Sequence, residues 1–237
     1  MFGSKGRIGV IVPANNSVIE PELLSKLPPD VALFATRVLA KGDLTPNAIK
    51  AMESEVGRAA TELDATGVDV IVFADMVTSF VMEEGWNERR TAEIAEFAGV
   101  ACVSAWTAMR DALDSLGVKK FALGTPYPRN LHDLARPFFE REGYGLSGDA
   151  TLDILAMHDV EKVTPGQLRE FVEGLERTGA EAVVLLATDL PTFSSIESLE
   201  EITGVPVLSS NQAILWSALE AVGGAPPIAG LGRLLAG

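Results

Sequence analysis

Apolar residues in this chain fall into two alternating patterns. Short continuous runs occupy Ile8–Val12, Val31–Val38, Val68–Ala74, Val100–Ser104, Lys120–Gly124, Thr151–Met157, Ala182–Ala187 and Pro206–Ser209. Such runs, apolar at nearly every position, predict strands buried on both faces, which means parallel sheet. Between them lie stretches with helical spacing: "SVIEPELLSKL", "TPNAIKAMESEVGRAATELDATG", "NERRTAEIAEFAG", "AWTAMRDALDSLG", "NLHDLARPFFEREG", "TPGQLREFVEGLERTG" and "NQAILWSALEAVGG". Most of them stop at glycine, the residue that tolerates the left-handed turn closing a helix. Strand therefore alternates with helix, and no low-complexity or linker segment interrupts the series.

The pattern repeats itself. "RIGVIVP", ending at Pro13, matches "KKFALGTP", ending at Pro126, and "TGVDVIVFAD", ending at Asp75, matches "TGAEAVVLLAT", ending at Thr188; both offsets are 113 residues. "EFAGVACVSA" and "EITGVPVLSS" form a third pair in the same order. Duplication predicts an α/β fold of two similar lobes with mostly parallel sheets, related by a pseudo-twofold axis. The first lobe is expected over residues 1–115 and 205–237 and the second over 116–204, with a cleft between them. Asp75 and Thr188 then occupy equivalent carboxyl ends of strands, where open parallel sheets place their ligands.

Composition narrows the function. A net charge of −14 lacks the basic footprint of a nucleic-acid or anionic-membrane binder. No apolar run is long enough to span a membrane, and Pro13 and Asn15 interrupt the first strand too early for a signal peptide. The single cysteine, Cys102, precludes an intrachain disulfide framework and suits a cytoplasmic protein. His132 and His158 are the only histidines, so a multi-histidine metal site cannot be built.

Five segments taken together, "GVIVPANNSVIEPEL", "VIVFADMVTSF", "LGTPYPRNLHDLA", "GVPVLSSNQAILWSAL" and "GLGRLL", resemble the maleate cis-trans isomerase and arylmalonate decarboxylase family within the aspartate/glutamate racemase superfamily. The resemblance covers nearly the whole chain. It implies two lobes, no cofactor, no metal, and chemistry at the carbon beside a carboxylate. It also implies two facing cysteines or, in the decarboxylases, the second alone. Here the first cysteine position falls on Asp75 and the second, after a one-residue gap, on Thr188. Cys102 lies within a strand and reads as a small buried hydrophobe.

Candidate site residues follow. Asp75, a carboxyl group in an apolar cleft, is expected to have a raised pKa and to move a proton; the competing reading is a cap on the turn at Val77 and Thr78. "DMVTS" can also form an anion-binding nest, which brings in the amides of Val77 and Thr78. Thr188 is expected to orient substrate, with the adjoining Asp189 as the alternative second group. Tyr127 resembles the family tyrosine that donates to a substrate carboxylate, and Asn16, with Asn15 as its competitor, resembles the family asparagine of the first loop. Asn15, Asn16 and Ser17 serve equally well as a helix cap. Ser210, between Ser209 and Asn211, starts a helix whose amino end faces the cleft or is simply capped. Arg129 and His132 are lower-ranked candidates for charge recognition and proton transfer.

The expected function is a cofactor-independent decarboxylase or isomerase acting on a small carboxylate or dicarboxylate through an enolate-like intermediate. Asp75 is expected to act in place of cysteine. The alternatives are a lyase, hydratase or hydrolase in which Asp75 activates water, and a carboxylate-binding protein without catalysis. Homo-oligomer formation is compatible with the sequence.

Overall fold

Residues 2–40 and 43–236 are described by a computed structural model. Two four-stranded sheets, parallel throughout, form its frame. The first contains β1 (Gly6–Pro13), β2 (Val31–Val38), β3 (Val70–Phe73) and β4 (Ala101–Ser104) in the order β2-β1-β3-β4. The second contains β5 (Lys120–Thr125), β6 (Gly145–Thr151), β7 (Ala182–Leu185) and β8 (Val207–Ser209) in the order β6-β5-β7-β8. The two orders are the same topology, as expected of two similar lobes. The inner strands are the most apolar ones, and β3 and β7 are buried at every position.

The helices after the last strand of each sheet join the halves. Ala105–Ser115 follows β4, Ser210–Ala221 follows β8, and the two pack on each other. Each begins with a reciprocal cap, Ser104 with Thr107 and Ser209 with Gln212, which satisfies two amides otherwise left free at a helix start. Ser210–Ala221 also touches β3 and β4 of the first sheet and β8 of the second. Trp106, fully buried, anchors an aromatic cluster with Phe138, Phe139 and Tyr144, all in edge-on contact.

Three local expectations are corrected. The sixth strand is Gly145–Thr151, not Thr151–Met157. As an edge strand it is only partly buried along its length and needs no continuous apolar run. Its Gly148 is required because a Cβ there would collide with the Glu176 carbonyl. The long stretch 45–67 is two helices, Pro46–Glu53 and Val56–Thr66. Likewise 130–143 divides into Arg129–His132 and Ala135–Arg141, because Pro137 lacks the N–H that would continue the helix onto Asp133. The helix Ile196–Thr203, whose apolar positions are Ile196, Leu199 and Ile202, had no counterpart in the sequence reading.

The fourth correction concerns the repeat. Ile11 pairs with Phe73 in the first sheet, and its 113-offset counterpart Gly124 pairs with Leu185 in the second. Counting two residues onward, the counterpart of Asp75 is Ala187, and Thr188 stands one residue later. Ala187 has φ +89°, a conformation that L residues seldom adopt. The sequence offset missed this because the slip lies inside the apolar run, where one valine or leucine reads like the next.

Candidate active site

Loops leaving the carboxyl ends of β1, β3, β5 and β7 meet at one narrow cavity, with about 40 Å³ open to the centre of a water molecule. That is room for a few waters or one small ligand. Its polar part is formed by Asn15, Asn16, Asp75, Tyr127, Thr188 and Asp189, and Val77 borders it. The remainder is apolar: Leu44, Ile49 and Met52 from the first half, Ile154, Met157 and Val160 from the second. No lysine, arginine or histidine lines it among the described residues.

Asp75 does two things at once. It is 8% exposed and faces the cavity, while its Oδ2 accepts the Thr78 N–H at 3.0 Å and the Thr78 hydroxyl. The turn cap is therefore present beside the cavity contact. Burial pushes the carboxyl above its ordinary value, and the bonds from Thr78 oppose that shift. Thr78 itself is fully buried and stands behind Asp75, outside the lining.

Asp189 is half-buried, and its carboxyl is pushed up to about 7, chiefly by burial and further by the negative charges of Asp75 and Glu161; its own backbone N–H opposes the shift. Tyr127 is 4% exposed, with its ring edge-on to Phe80. Burial, and after it the charges of Asp75 and Asp189, hold the phenol well above its ordinary value, so it stays a hydrogen-bond donor.

Asn16 and Thr188 are already committed to the protein. Asn16 Oδ1 accepts the N–H groups of Val18 and Ile19, and its Nδ2 donates to Thr188 Oγ1 at 3.0 Å. The Thr188 hydroxyl in turn donates to the Ala74 carbonyl at 3.0 Å. The helix-cap reading of Asn16 thus holds, and the pair forms a bridge between halves in which Thr188 spends its only donor and Asn16 one of its two N–H groups. Asn15, by contrast, has a buried Oδ1 without a partner among the described residues.

Four other candidates lie away from the cavity. Ser210 is buried in the first turn of its helix, and Ser209 is the cap. His132 is buried between Thr125 Oγ1 at 2.9 Å and Asp149 Oδ1 at 3.0 Å, bracing β5 against β6. Arg129 is exposed. Cys102 is half-buried in β4, with burial pushing its thiol up to about 12. Its reactive thiolate is thus scarce at neutral pH. Alkylating reagents under native conditions are expected to leave activity intact; rapid inactivation prevented by substrate would place Cys102 in the site after all.

One residue passed unnoticed in the sequence. Glu22 lies in the helix Ile19–Lys26, and its Oε1 accepts the N–H groups of Thr192 at 2.6 Å and Phe193 at 2.8 Å. Its Oε2 accepts from Asn211 Nδ2 at 2.7 Å, and the same nitrogen donates to the Thr188 carbonyl at 3.0 Å. Glu22 therefore ties the loop carrying Thr188 and Asp189 to the opposite half. Burial outweighs these bonds and raises its carboxyl. The signal was a glutamate beside Leu23 and three residues after Ile19, on the buried stripe of an otherwise ordinary helix.

Comparisons with known proteins find relatives over nearly the whole chain. The sequence pattern of the arylmalonate decarboxylase family matches residues 8–235. The chain is similar to the maleate isomerase of Geobacillus stearothermophilus, 28% identical over 98% of this chain and 97% of that one. It is 30% identical to the arylmalonate decarboxylase of Bordetella bronchiseptica, over 96% and 95%. Among solved structures, a maleate isomerase variant from Pseudomonas putida S16 with maleate superimposes with a TM-score of 0.93 at 25% identity, covering 98% of each chain. A Nocardia farcinica maleate cis-trans isomerase mutant carrying a covalently bound succinylcysteine intermediate gives a TM-score of 0.91 at 28% identity, covering 97% of this chain and 98% of that one.

Proposed function

Since this chain belongs to the arylmalonate decarboxylase family, we propose that it is a cofactor-independent enzyme that cleaves or protonates a small carboxylate beside its carboxyl group, with Asp75 as the proton-transfer group. The observation that carries this reading is the Asp75 carboxyl, buried at the cavity wall and held above its ordinary value. A carboxylic acid so placed is protonated closer to neutral pH than a solvated one, and catalytic acids depend on that tuning.

The thiol route named in the Nocardia structure has no counterpart here, because no cysteine lines the cavity. Decarboxylation needs no thiol adduct. In that reaction the carbon–carbon bond breaks, carbon dioxide leaves, and the electron pair remains as an enolate. Tyr127 donates its hydroxyl hydrogen bond to an enolate oxygen as charge develops there. Asp75 in its protonated form then delivers its proton to the carbon and recovers one from solvent. The substituent on that carbon lies against Leu44, Ile49, Met52, Ile154, Met157 and Val160, which favours an aryl or alkyl group over a second charge.

Incubation with aryl- and alkylmalonates and maleate in deuterated water, followed by NMR, tests the proposal. The expected result is consumption of a malonate with one solvent deuterium at the carbon next to the remaining carboxylate. Absence of both consumption and deuterium across the panel would overturn it.

A further inference from the structure

Building on Asp75 as the proton-transfer group, we propose that Asp75 and Asp189 form a single acid–base unit in which two carboxyl groups share one proton across the cleft. Both line the same narrow cavity, one after β3 and the other after β7. Asp75 spends Oδ2 on Thr78, and no hydrogen bond engages its other oxygen among the described residues. Asp189 accepts only from its own N–H. Neither has an ion-pair partner there. Tyr127, almost wholly buried, lines the same space, and no protein group bonds its hydroxyl among the described residues.

The backbone explains why the second carboxyl stands at Asp189. Ala187, the register counterpart of Asp75, offers only a methyl group. Past its left-handed turn, Thr188 commits its hydroxyl to Ala74 of the opposite half, and Asp189 borders the cavity. The halves thus each contribute a carboxyl, from positions that are not equivalent.

Among the described residues none that lines the cavity carries positive charge. Glu161 adds negative charge on the side of Asp189, Tyr127 stays neutral, and Glu22 is buried behind the same loop. Arg37 is held on the carbonyls of Pro13, Ala14 and Asn16 and on Glu20. Two like charges confined in one narrow, largely apolar cavity oppose each other, so the second proton is retained to higher pH. One carboxyl is then a base while the other is an acid. In turnover the protonated member gives its proton to the enolate carbon left when carbon dioxide departs, so both carboxyls are briefly ionised, and their mutual repulsion draws one proton back from solvent to restore the pair.

Carboxyl titration by NMR of protein labelled with ¹³C at the aspartate side chains tests this without any substrate. The expected result is that the Asp75 and Asp189 signals each show two steps, the upper near about 7, and that Asp75→Asn lowers the Asp189 midpoint by about one pH unit. The wild-type titration alone is decisive should the variant fail to fold. Asp189 titrating in the ordinary carboxylate range, or a midpoint unmoved in Asp75→Asn, would overturn the shared proton. Uncoupled signals together with an inactive Asp75→Asn protein would remove the dyad and leave Asp75 acting alone. Coupled signals with a fully active Asp75→Asn protein would do the reverse, keeping the dyad and dismissing Asp75 as the proton donor.

Discussion

Asp75→Asn lowers turnover by about 10²–10⁴-fold while leaving ligand affinity nearly unchanged, the loss expected when a positioned acid or base is removed. Asparagine matches aspartate in shape, and its side-chain oxygen can still accept the Thr78 N–H that Asp75 accepts at 3.0 Å. The turn is thereby preserved and only the transferable proton is lost. Steady-state kinetics paired with calorimetric binding separates the two effects. A variant that binds and turns over like the wild type would show that Asp75 is a turn cap that happens to border the cavity. A variant that loses binding together with turnover would assign the carboxyl to substrate recognition.

The second large effect is on stability. Glu22→Ala is expected to cost about 3 kcal/mol or more, because the N–H groups of Thr192 and Phe193 and the Asn211 amide lose their acceptor at once. Each buried donor left without a partner costs about 1–3 kcal/mol. Release of a carboxylate that burial already penalises offsets part of the sum. Glu22→Gln should lose much less, since one oxygen remains for the two backbone donors and Asn211 can turn its unpartnered Oδ1 toward the new amide. Urea unfolding at neutral pH distinguishes the three proteins; an alanine variant as stable as the wild type would show that the loop at 192–193 is held by other contacts.

Much of this architecture was readable from the chain because its inner strands are apolar on both faces. Val70–Phe73 and Ala182–Leu185 could hardly be anything but central parallel strands. Edge strand β6 was misplaced since half-exposed positions carry no such constraint. At the site, the run ending on Asp75 is a carboxylate closing a buried strand, which has to meet either a turn or open space, and this one meets both a turn and the cavity. Tyr127, Asn15 and Asp189 also line the cavity, as their positions after strand ends suggested. Hydrogen-bond commitments were not legible. Nothing in "PANNS" says that Asn16 is spent on Val18, Ile19 and Thr188, and nothing in "IEPEL" pairs Glu22 with a loop 170 residues away. Such pairings depend on which surfaces the fold brings together, and single residues do not encode that locally.

The two carboxyls at the cavity also set how the protein responds to acid. Each has its ordinary value near 3.8 in an unfolded chain and a higher one in the fold, reaching about 7 for Asp189. A carboxyl raised in this way favours folding most below the unfolded value, and its contribution fades as pH rises through the folded one. The salt-bridged carboxylates of Asp114 and Asp159 act in a different window: held below 3.8 in the fold, they add stability as pH rises through the acid range and have given all of it above about pH 5, where Asp189 is still losing its own. At neutral pH the cavity carboxyls pull against the scaffold that holds them. Their burial in so apolar a setting costs the chain part of its margin against unfolding at neutral pH.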